Sequence, residues 1–207
     1  MKIGLVGGTF DPIHIGHLLL GQMAAEQLGL DEIWFLPAGM PYFKEGKQVS
    51  AAEDRLAMTK LAVQDLPNAA VCDAEIRRGG RTYTCETVEM LNASFPEHAF
   101  YFIFGADCLD QLESWREPAR ILAGCRIVAA GRGESADRFL LEEKAKQLTE
   151  RFGGEILIMD FPVLEISSTM IRERAAAGLP LRFLVPPAVE EYIRQRKLYQ
   201  NTEAGEG

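Results

Sequence analysis

Several features are scarce or missing in this sequence of 207 residues. No stretch approaches the roughly 18 consecutive apolar residues that a membrane-spanning helix needs. The first apolar run, within KIGLVGG at 2–8, is too short for the core of a signal peptide. No C-x-x-C pair occurs, so free thiols are expected at all four cysteines, Cys72, Cys85, Cys108 and Cys125. We therefore expect a cytoplasmic protein with no membrane partner.

Basic residues are also in the minority, with 22 Lys and Arg against 30 Asp and Glu and a formal net charge of −8. A broad nucleic-acid surface relies on many Lys and Arg contacts to phosphate groups. The sequence therefore predicts no nucleic-acid partner. A small phosphate site with a few local cations remains open, as does assembly into a homo-oligomer.

The sequence does contain a regular alternation of apolar runs and amphipathic stretches. The apolar runs predict strands at 2–8, 32–39, 69–76, 99–107, 125–131 and 155–161. The amphipathic stretches predict helices at 17–30, 51–66, 84–95, 136–153, 168–178 and 187–199. We expect an α/β fold, a Rossmann-like doubly wound parallel sheet with helices on both faces and the ligand outside the carboxyl ends of the strands. One domain is expected over 1–200, followed by a disordered polar tail at 201–207.

Histidine is scarce too, and its distribution is uneven. Two of the three histidines, His14 and His17, stand three residues apart in GGTFDPIHIGH at 7–17. The glycine pair follows the first predicted strand, where it permits the close approach of a ligand or a helix. Asp11-Pro12 predicts a helix start with Asp11 as the cap, or a helix that begins a few residues later. Both imidazoles then project from the first turn, whose N–H groups and dipole suit an anion, and Gly16 leaves that anion room.

Three interpretations of the paired histidines are open. A zinc site needs a third protein ligand, and the remaining histidine, His98, precedes a strand at the opposite end of the sheet. The pair could also be two residues at an ordinary helix start, without any role. A phosphate clamp agrees with the glycines, the helix start and the paired imidazoles together. The segment is neither the G-x-G-x-x-G fingerprint nor the G-x-x-x-x-G-K-[ST] phosphate loop.

GGTFDPIHIGH resembles the (T/H)-x-G-H signature of the nucleotidyltransferase superfamily, which handles the α-phosphate of a nucleoside triphosphate. His-Ile-Gly-His is also the signature of class I aminoacyl-tRNA synthetases, but 207 residues leave no room for tRNA-recognition domains. The second superfamily motif resembles ISSTMIR at 166–172, where hydroxyls and an arginine open a helix. Hydroxyls, helix N–H groups and a guanidinium together make a polyphosphate site.

Within the superfamily, the sequence most resembles the bacterial nicotinate-nucleotide adenylyltransferase family, from residue 1 to about residue 199. The further segments that carry this resemblance are DEIWFLPAGMPYFK, RTYTCET, FIFGADCLDQLESW and FLVPPAVEEYIRQRKLY. Three positions depart from the family pattern. Phe43 stands where the family has His, Glu86 where it has Asp, and Arg116 where it often has Tyr.

The resemblance implies that ATP and nicotinate mononucleotide react to give nicotinate adenine dinucleotide and pyrophosphate. It assigns catalysis to His14, His17, Lys44 and Arg172. It assigns ATP binding to Gly8, Thr9, Phe10, Gly105, Asp107, Ile166, Ser168 and Thr169. It assigns mononucleotide binding to Thr84, Trp115 and Arg116. Mg²⁺ is expected to bridge the phosphates, mostly through water and substrate oxygens, so no protein ligand is named for it.

Two alternatives stay open beside this reaction. One is another nucleotidyltransferase of the superfamily, acting on nicotinamide mononucleotide or phosphopantetheine. The other is a nucleotide-binding module that has lost turnover. Arg55, in EDRLAMTKL, is interpreted as a surface ion pair and is not placed in the site.

Overall fold

The computed structural model describes residues 1–41, 49–132 and 135–200. Its strands are β1 (Lys2–Gly8), β2 (Glu32–Pro37), β3 (Met40–Pro41), β4 (Ala69–Val71), β5 (Arg81–Thr82), β6 (Ala99–Gly105), β7 (Arg126–Arg132) and β8 (Ile156–Phe161). Its helices are α1 (Ile15–Leu28), α2 (Ala52–Val63), α3 (Ala74–Arg78), α4 (Thr84–Ser94), α5 (Pro118–Gly124), α6 (Ser135–Phe152), α7 (Ser168–Ala176) and α8 (Pro187–Gln195). None of the helices in these ranges is long and apolar enough to cross a membrane.

Six strands form one parallel sheet in the order β4-β2-β1-β6-β7-β8, and β3 pairs with β5 in a small second sheet. From β1 the chain adds β2 and β4 on one side of the sheet and then β6, β7 and β8 on the other. The direction in which strands are added therefore reverses between β1 and β6. This is the strand order of a doubly wound Rossmann-like sheet, and the predicted fold class is confirmed. The loops after β1 and β6 diverge at this reversal and leave a crevice between them.

Alternating side chains of the strands build two cores, one on each face of the sheet. In β1, Ile3 and Leu5 point to one face and Val6 to the other. The first core contains residues of α1, α2, α7 and α8, and we call it the α1 core. The second contains residues of α4, α5 and α6, and we call it the α4 core. The predicted burial of the strands on both faces follows from this arrangement.

Helix α1 lies very close to the sheet because of a glycine in its middle. A Cβ atom on Gly21 would lie 2.9 Å from Ile33 Cγ2 and 3.1 Å from Phe35 Cζ. The helix ends at Gly29, which adopts φ +58°, a left-handed conformation that glycine reaches without strain.

The strand predicted over 69–76 is wrong in its second half. Strand β4 ends at Val71, and α3 begins three residues later. Its carboxylate Glu75 is buried and accepts a hydrogen bond from Thr87 of α4 at 2.7 Å, which fixes the turn of α3 against α4. Alanine, glutamate and isoleucine also tolerate a helix, so the apolar spacing alone does not separate the two structures.

Asp11 does not cap α1, and α2 starts one residue later than predicted. Helix α1 begins at Ile15 with His14 as the N-cap, because the Asp11 carboxylate is engaged by Ser50 and by a residue near the end of the chain. Helix α2 begins at Ala52, with Ala51 as its N-cap. The tail at 201–207, predicted to be disordered, lies outside the described residues.

Candidate active site

The two histidines of the first motif are stacked on each other at the start of α1. Their ring centroids are 3.7 Å apart with an interplanar angle of 25°. The backbone N–H of His14 donates to Nδ1 of His17 at 3.2 Å. Because Nδ1 of His17 accepts a hydrogen bond, the neutral ring carries its proton on Nε2. His17 is therefore set up as an Nε2–H donor.

His14 is more deeply buried than its partner, with 6% of its surface exposed. Burial lowers the pKa of His14 to about 4, so its ring is neutral at pH 7. Its Nδ1 atom is buried and has no hydrogen-bond partner among the described residues. A buried unpaired nitrogen is costly in a finished structure and is typical of a site that a ligand completes.

Gly16 makes room for the His14 ring and not, as the sequence suggested, for the anion itself. A Cβ on Gly16 would lie 3.1 Å from Nδ1 and Cε1 of that ring. One N–H group of the first turn is also occupied, since Ile15 N donates to Leu184 O at 2.9 Å. The anion site expected at the start of α1 therefore has less space and fewer free N–H donors than predicted.

The Phe10 ring packs against the histidine pair through His17. The Phe10 side chain is buried, with 1% exposed, and its ring meets His17 edge-on at a centroid distance of 4.9 Å. A Cβ on Gly8 would lie 2.6 Å from the Phe10 ring, so Gly8 is needed where that ring packs. Phe10 has φ +52°, which is rare for a bulky residue and turns the loop sharply. Gly8 and Phe10, which the resemblance assigns to ATP binding, therefore offer only backbone atoms to a ligand.

The second motif is docked directly on the first. Ser167 caps α7 and accepts a hydrogen bond from Met170 N at 3.2 Å. Ser168 donates through its hydroxyl to Pro12 O at 2.9 Å, and Arg172 donates to Asp11 O at 2.8 Å. The start of α7 is thereby fixed beside the loop that carries the histidines.

Arg172 lies in the second turn of α7, one turn later than predicted, and it also donates to Thr169 Oγ1 at 3.2 Å. Ile166, just before the helix, packs with the α1 core. The Ser168 hydroxyl joins the two motifs, so only the helix N–H groups around it remain as donors for an anion.

The loop after β6 lies on the other side of the crevice. A Cβ on Gly105 would meet no atom within 4 Å, so this glycine borders open space. Asp107 follows in a short 3-10 turn and its side chain is exposed. Since β1 and β6 are neighbours, this carboxylate stands at the same edge of the sheet as the histidines.

A separate cavity of about 230 Å³ holds the three residues predicted to bind the mononucleotide. Its lining comprises Thr82, Tyr83, Thr84, Ser114, Trp115, Arg116 and Ile121. Trp115 packs against Phe104 at a centroid distance of 5.6 Å, and its indole nitrogen is buried without a partner among the described residues. The N-terminus of the eleven-residue α4 begins at Thr84, so backbone N–H groups face this cavity.

The side chain of Arg116 does not point freely into this cavity. Its guanidinium lies 4.5 Å from the centre of the Tyr83 ring and 3.1 Å from Glu86, while 49% of the side chain is exposed. Glu86 also pairs with Arg78 at 3.2 Å. The two departures from the family pattern, at 86 and 116, thus form an ion pair with each other.

Sequence reasoning missed three polar residues behind the site: Asp11 and Arg55, which are buried, and Tyr199, which is half-buried. Asp11 was interpreted as a helix cap, but it is 2% exposed and bonds to Tyr199 and Ser50. Arg55 was interpreted as a surface ion pair, but it is 2% exposed. The only signal for Arg55 was its place on the apolar side of α2, and no local signal marks Tyr199.

Lys44, in the PYFK segment, lies outside the described residues. The described ranges contain no group of three or more His, Cys, Asp or Glu side chains arranged to hold a metal ion.

Residues 5–174 match the family model described as cytidylyltransferase-like. The chain therefore belongs to the cytidylyltransferase-like family, the class that its fold and paired motifs define. A protein of Lachnoclostridium phytofermentans is 41% identical over 198 residues, which are 96% of this chain and 98% of that protein. A protein of Dehalococcoides mccartyi strain CBDB1 is 43% identical over 202 residues, 96% and 97% of the two chains. Both are named "probable nicotinate-nucleotide adenylyltransferase", and this chain belongs to their family.

Solved structures agree with the fold. The nicotinic acid mononucleotide adenylyltransferase of Plasmodium falciparum complexed with NaAD superposes with a TM-score of 0.76 at 20% identity, covering 96% of this chain and 97% of that one. The same enzyme complexed with APC gives a TM-score of 0.74 at 18% identity, with 96% of each chain covered. At this level of identity the likeness supports the Rossmann-like architecture.

Proposed function

We propose that this chain transfers the adenylyl group of ATP to nicotinate mononucleotide, releasing pyrophosphate and forming nicotinate adenine dinucleotide. The observation that carries the proposal is the contact between the two motifs, in which Ser168 and Arg172 of α7 bond to Pro12 and Asp11. This contact sets the paired histidines and the start of α7 on one side of the crevice between β1 and β6. Relatives at about 40% identity over nearly the whole chain are named for this activity.

The reaction needs positioning and charge stabilisation more than acid or base catalysis. The phosphate oxygen of the mononucleotide is already ionised and attacks the α-phosphorus in line as pyrophosphate leaves. Nε2–H of His17 is suited to donate to an oxygen of the α-phosphate, where negative charge develops. His14, being neutral, contributes a hydrogen bond and no charge. The positive charge then comes from Arg172 and Lys44 on the β- and γ-phosphates.

The mononucleotide is proposed to occupy the cavity beside Trp115. Its pyridine ring would stack on the indole, and the N-terminus of α4 at Thr84 would receive the carboxylate. The backbone N–H of Arg116 is a further donor. Asp107 would accept hydrogen bonds from the ribose hydroxyls of ATP, since an exposed carboxylate at the end of β6 is an acceptor at the right edge of the sheet.

Mg²⁺ is part of this proposal as an ion that arrives on the triphosphate. The described side chains of the phosphate site are imidazole, guanidinium and hydroxyl groups, which suit phosphate oxygens better than a hard cation. Bound in this way, the ion would neutralise charge on the phosphates. The four free cysteines are consistent with a reducing compartment, and we place the reaction in the cytoplasm.

Pyrophosphate release tests the function. The protein is mixed with MgATP and, in separate reactions, nicotinate mononucleotide, nicotinamide mononucleotide or phosphopantetheine. We expect release with nicotinate mononucleotide first, and formation of the dinucleotide in equal amount. Faster release with either of the other two acceptors would assign a different adenylyltransferase. No release with any acceptor, together with ATP binding, would assign a module without turnover.

A further inference from the structure

Arg55 is a cation buried behind the crevice, and it bonds to backbone rather than to a carboxylate. It lies on the first turn of α2 with 2% of its surface exposed. Its four hydrogen bonds within the described ranges all end on carbonyl oxygens. They reach Thr9 at 2.8 Å, Ala38 at 2.6 Å, Gly39 at 2.7 Å and Ser50 at 3.1 Å.

These carbonyl groups belong to three separate segments. Thr9 follows β1 and begins the loop that carries the histidines, while Ala38 and Gly39 follow β2. Ser50 precedes α2. The two strand ends are also joined directly, because Ala38 N donates to Gly8 O at 2.8 Å. One side chain therefore fixes the spacing of three loops at the carboxyl edge of the sheet.

The contacts of Arg55 continue to the second motif. Ser50 accepts from Arg55 through its carbonyl and donates through its N–H to Asp11 Oδ2 at 3.2 Å. Asp11 in turn accepts from Arg172 through its own carbonyl. Burial lowers the pKa of Arg55, and the negative charge of Asp11 is the largest influence in the opposite direction, which offsets part of the cost of burial.

If Arg55 were replaced by a smaller side chain, the loop after β2 could not move to close the gap. A Cβ on Gly39 would lie 2.7 Å from Glu75 O, so the backbone is closely packed on its far side. Arg55 holds the near side. Replacing the planar fork of guanidinium donors with a single ammonium group would leave some of the four carbonyls without a partner.

We propose that Arg55 is a positioning residue for adenylyl transfer, setting the loop at 9–14, and with it His14 and His17, against the segments that follow β2. This rests on the proposed function, but its effect on the loop does not. Arg55 does not touch the reacting atoms. Its effect should therefore be felt as a displacement of the histidine rings and as a loss of kcat.

The test compares Arg55→Lys and Arg55→Gln with Thr59→Val. Thr59 is a matched control because it lies one turn further along α2, is completely buried and bonds to Arg55 O inside the helix at 2.7 Å. Thr59→Val should lower thermal stability and leave the kinetic constants unchanged. The Arg55 variants should lose about 10-fold to 100-fold in kcat, as misplaced reacting groups do, with the KM for the mononucleotide changed less than twofold.

A second measurement does not depend on activity. The chain has only three histidines, so proton NMR can follow each imidazole during a pH titration. In the unmodified protein His14 should titrate near its lowered pKa of about 4. In the Arg55 variants we expect this pKa to rise toward the ordinary value, because a displaced loop exposes the ring. Thr59→Val should leave it unchanged.

The outcomes separate the two proposals. A protein that releases no pyrophosphate, but whose His14 pKa rises in the Arg55 variants, contradicts the proposed function and supports only the effect of Arg55 on the loop at 9–14. Arg55 variants with the kcat and the His14 pKa of the unmodified protein overturn the positioning role. It is equally overturned if both Arg55 variants fail to fold while Thr59→Val folds, since Arg55 then serves stability alone.

Discussion

Tyr199 donates its hydroxyl hydrogen to Asp11 Oδ1 at 2.7 Å, although 188 residues separate them in the chain. Asp11 lies in the loop between the two histidines and the first strand, and Tyr199 lies just beyond α8. The end of the described chain is therefore part of the support of the active-site loop. Residues that carry no recognisable chemistry can contribute to the site in this way.

Removal of this hydroxyl by Tyr199→Phe should lower the free energy of unfolding by about 1–2 kcal/mol, because Asp11 stays buried with one partner fewer. It should also lower kcat severalfold, because the carbonyl oxygen of Asp11 accepts a hydrogen bond from Arg172 and a shift of Asp11 would displace that guanidinium. Tyr192→Phe is the matched control: Tyr192 of α8 donates to Asp54 at 2.8 Å, away from the site. Urea unfolding and steady-state kinetics measure both. Equal kinetic effects in the two variants would contradict the link to the loop.

His17→Ala should reduce turnover by about 10²–10³-fold, the usual cost of removing one preorganised donor to a charged oxygen. Folding should be retained, since His17 is half-buried, although the Phe10 ring loses a neighbour. His98→Ala, at the opposite end of the sheet, serves as the control. Rates measured under saturating substrates decide the matter, and activity of His17→Ala within about threefold of the unmodified protein would remove His17 from the mechanism.

Arg172→Ala should raise the KM for ATP more than the KM for the mononucleotide, because a guanidinium on the triphosphate contributes little to the other substrate. The control is Arg174→Ala on the same helix, whose guanidinium bonds to Pro180 O at 3.0 Å and 3.3 Å. It should change neither constant. A rise confined to the mononucleotide would argue against the assignment of Arg172.

Selectivity for nicotinate over nicotinamide mononucleotide should be at least about tenfold in kcat/KM, which corresponds to ~1.4 kcal/mol. Donors alone suit a carboxylate, whereas a carboxamide leaves one donor facing its NH₂ group. Arg116→Ala should alter this ratio by less than about threefold, because its side chain is half-exposed and paired with Glu86 and the backbone N–H remains. Trp115→Ala should weaken the binding of both mononucleotides equally. Competition kinetics with the two mononucleotides measure this ratio, and comparable kcat/KM values would contradict the predicted selectivity.

The burial of His14 predicts a pH dependence of stability. Its folded-state pKa of about 4 lies below the ordinary 6.5, so the unfolded chain binds a proton that the folded chain refuses. Stability should therefore fall as the pH drops from about 6.5 to about 4. From pH 7 to pH 5 the unmodified protein should lose about 2 kcal/mol more than His14→Gln, as measured by urea unfolding. Parallel losses in the two proteins would show that His14 is not buried in solution.

Local signals were sufficient for much of this molecule. The fold class follows from alternating apolar runs, and the two motifs follow from short patterns at helix starts. The exact start of α1 was not predictable, because Asp11 is taken by Tyr199 from the far end of the chain. Arg55 was misjudged for a similar reason. A buried arginine and a solvated one look identical in sequence until the loops that receive its hydrogen bonds are placed.

The two cores have a consequence for how the two substrate sites can change. The loop of the histidines and α7 rest on the α1 core through Phe10, Ile13 and Ile171, whereas Trp115 and Tyr83 rest on the α4 core. The sheet separates these two sets of side chains. Substitutions that reshape the acceptor cavity can therefore accumulate without disturbing the nucleotide side. On this plan, an acceptor site can diverge while the nucleotide site is kept.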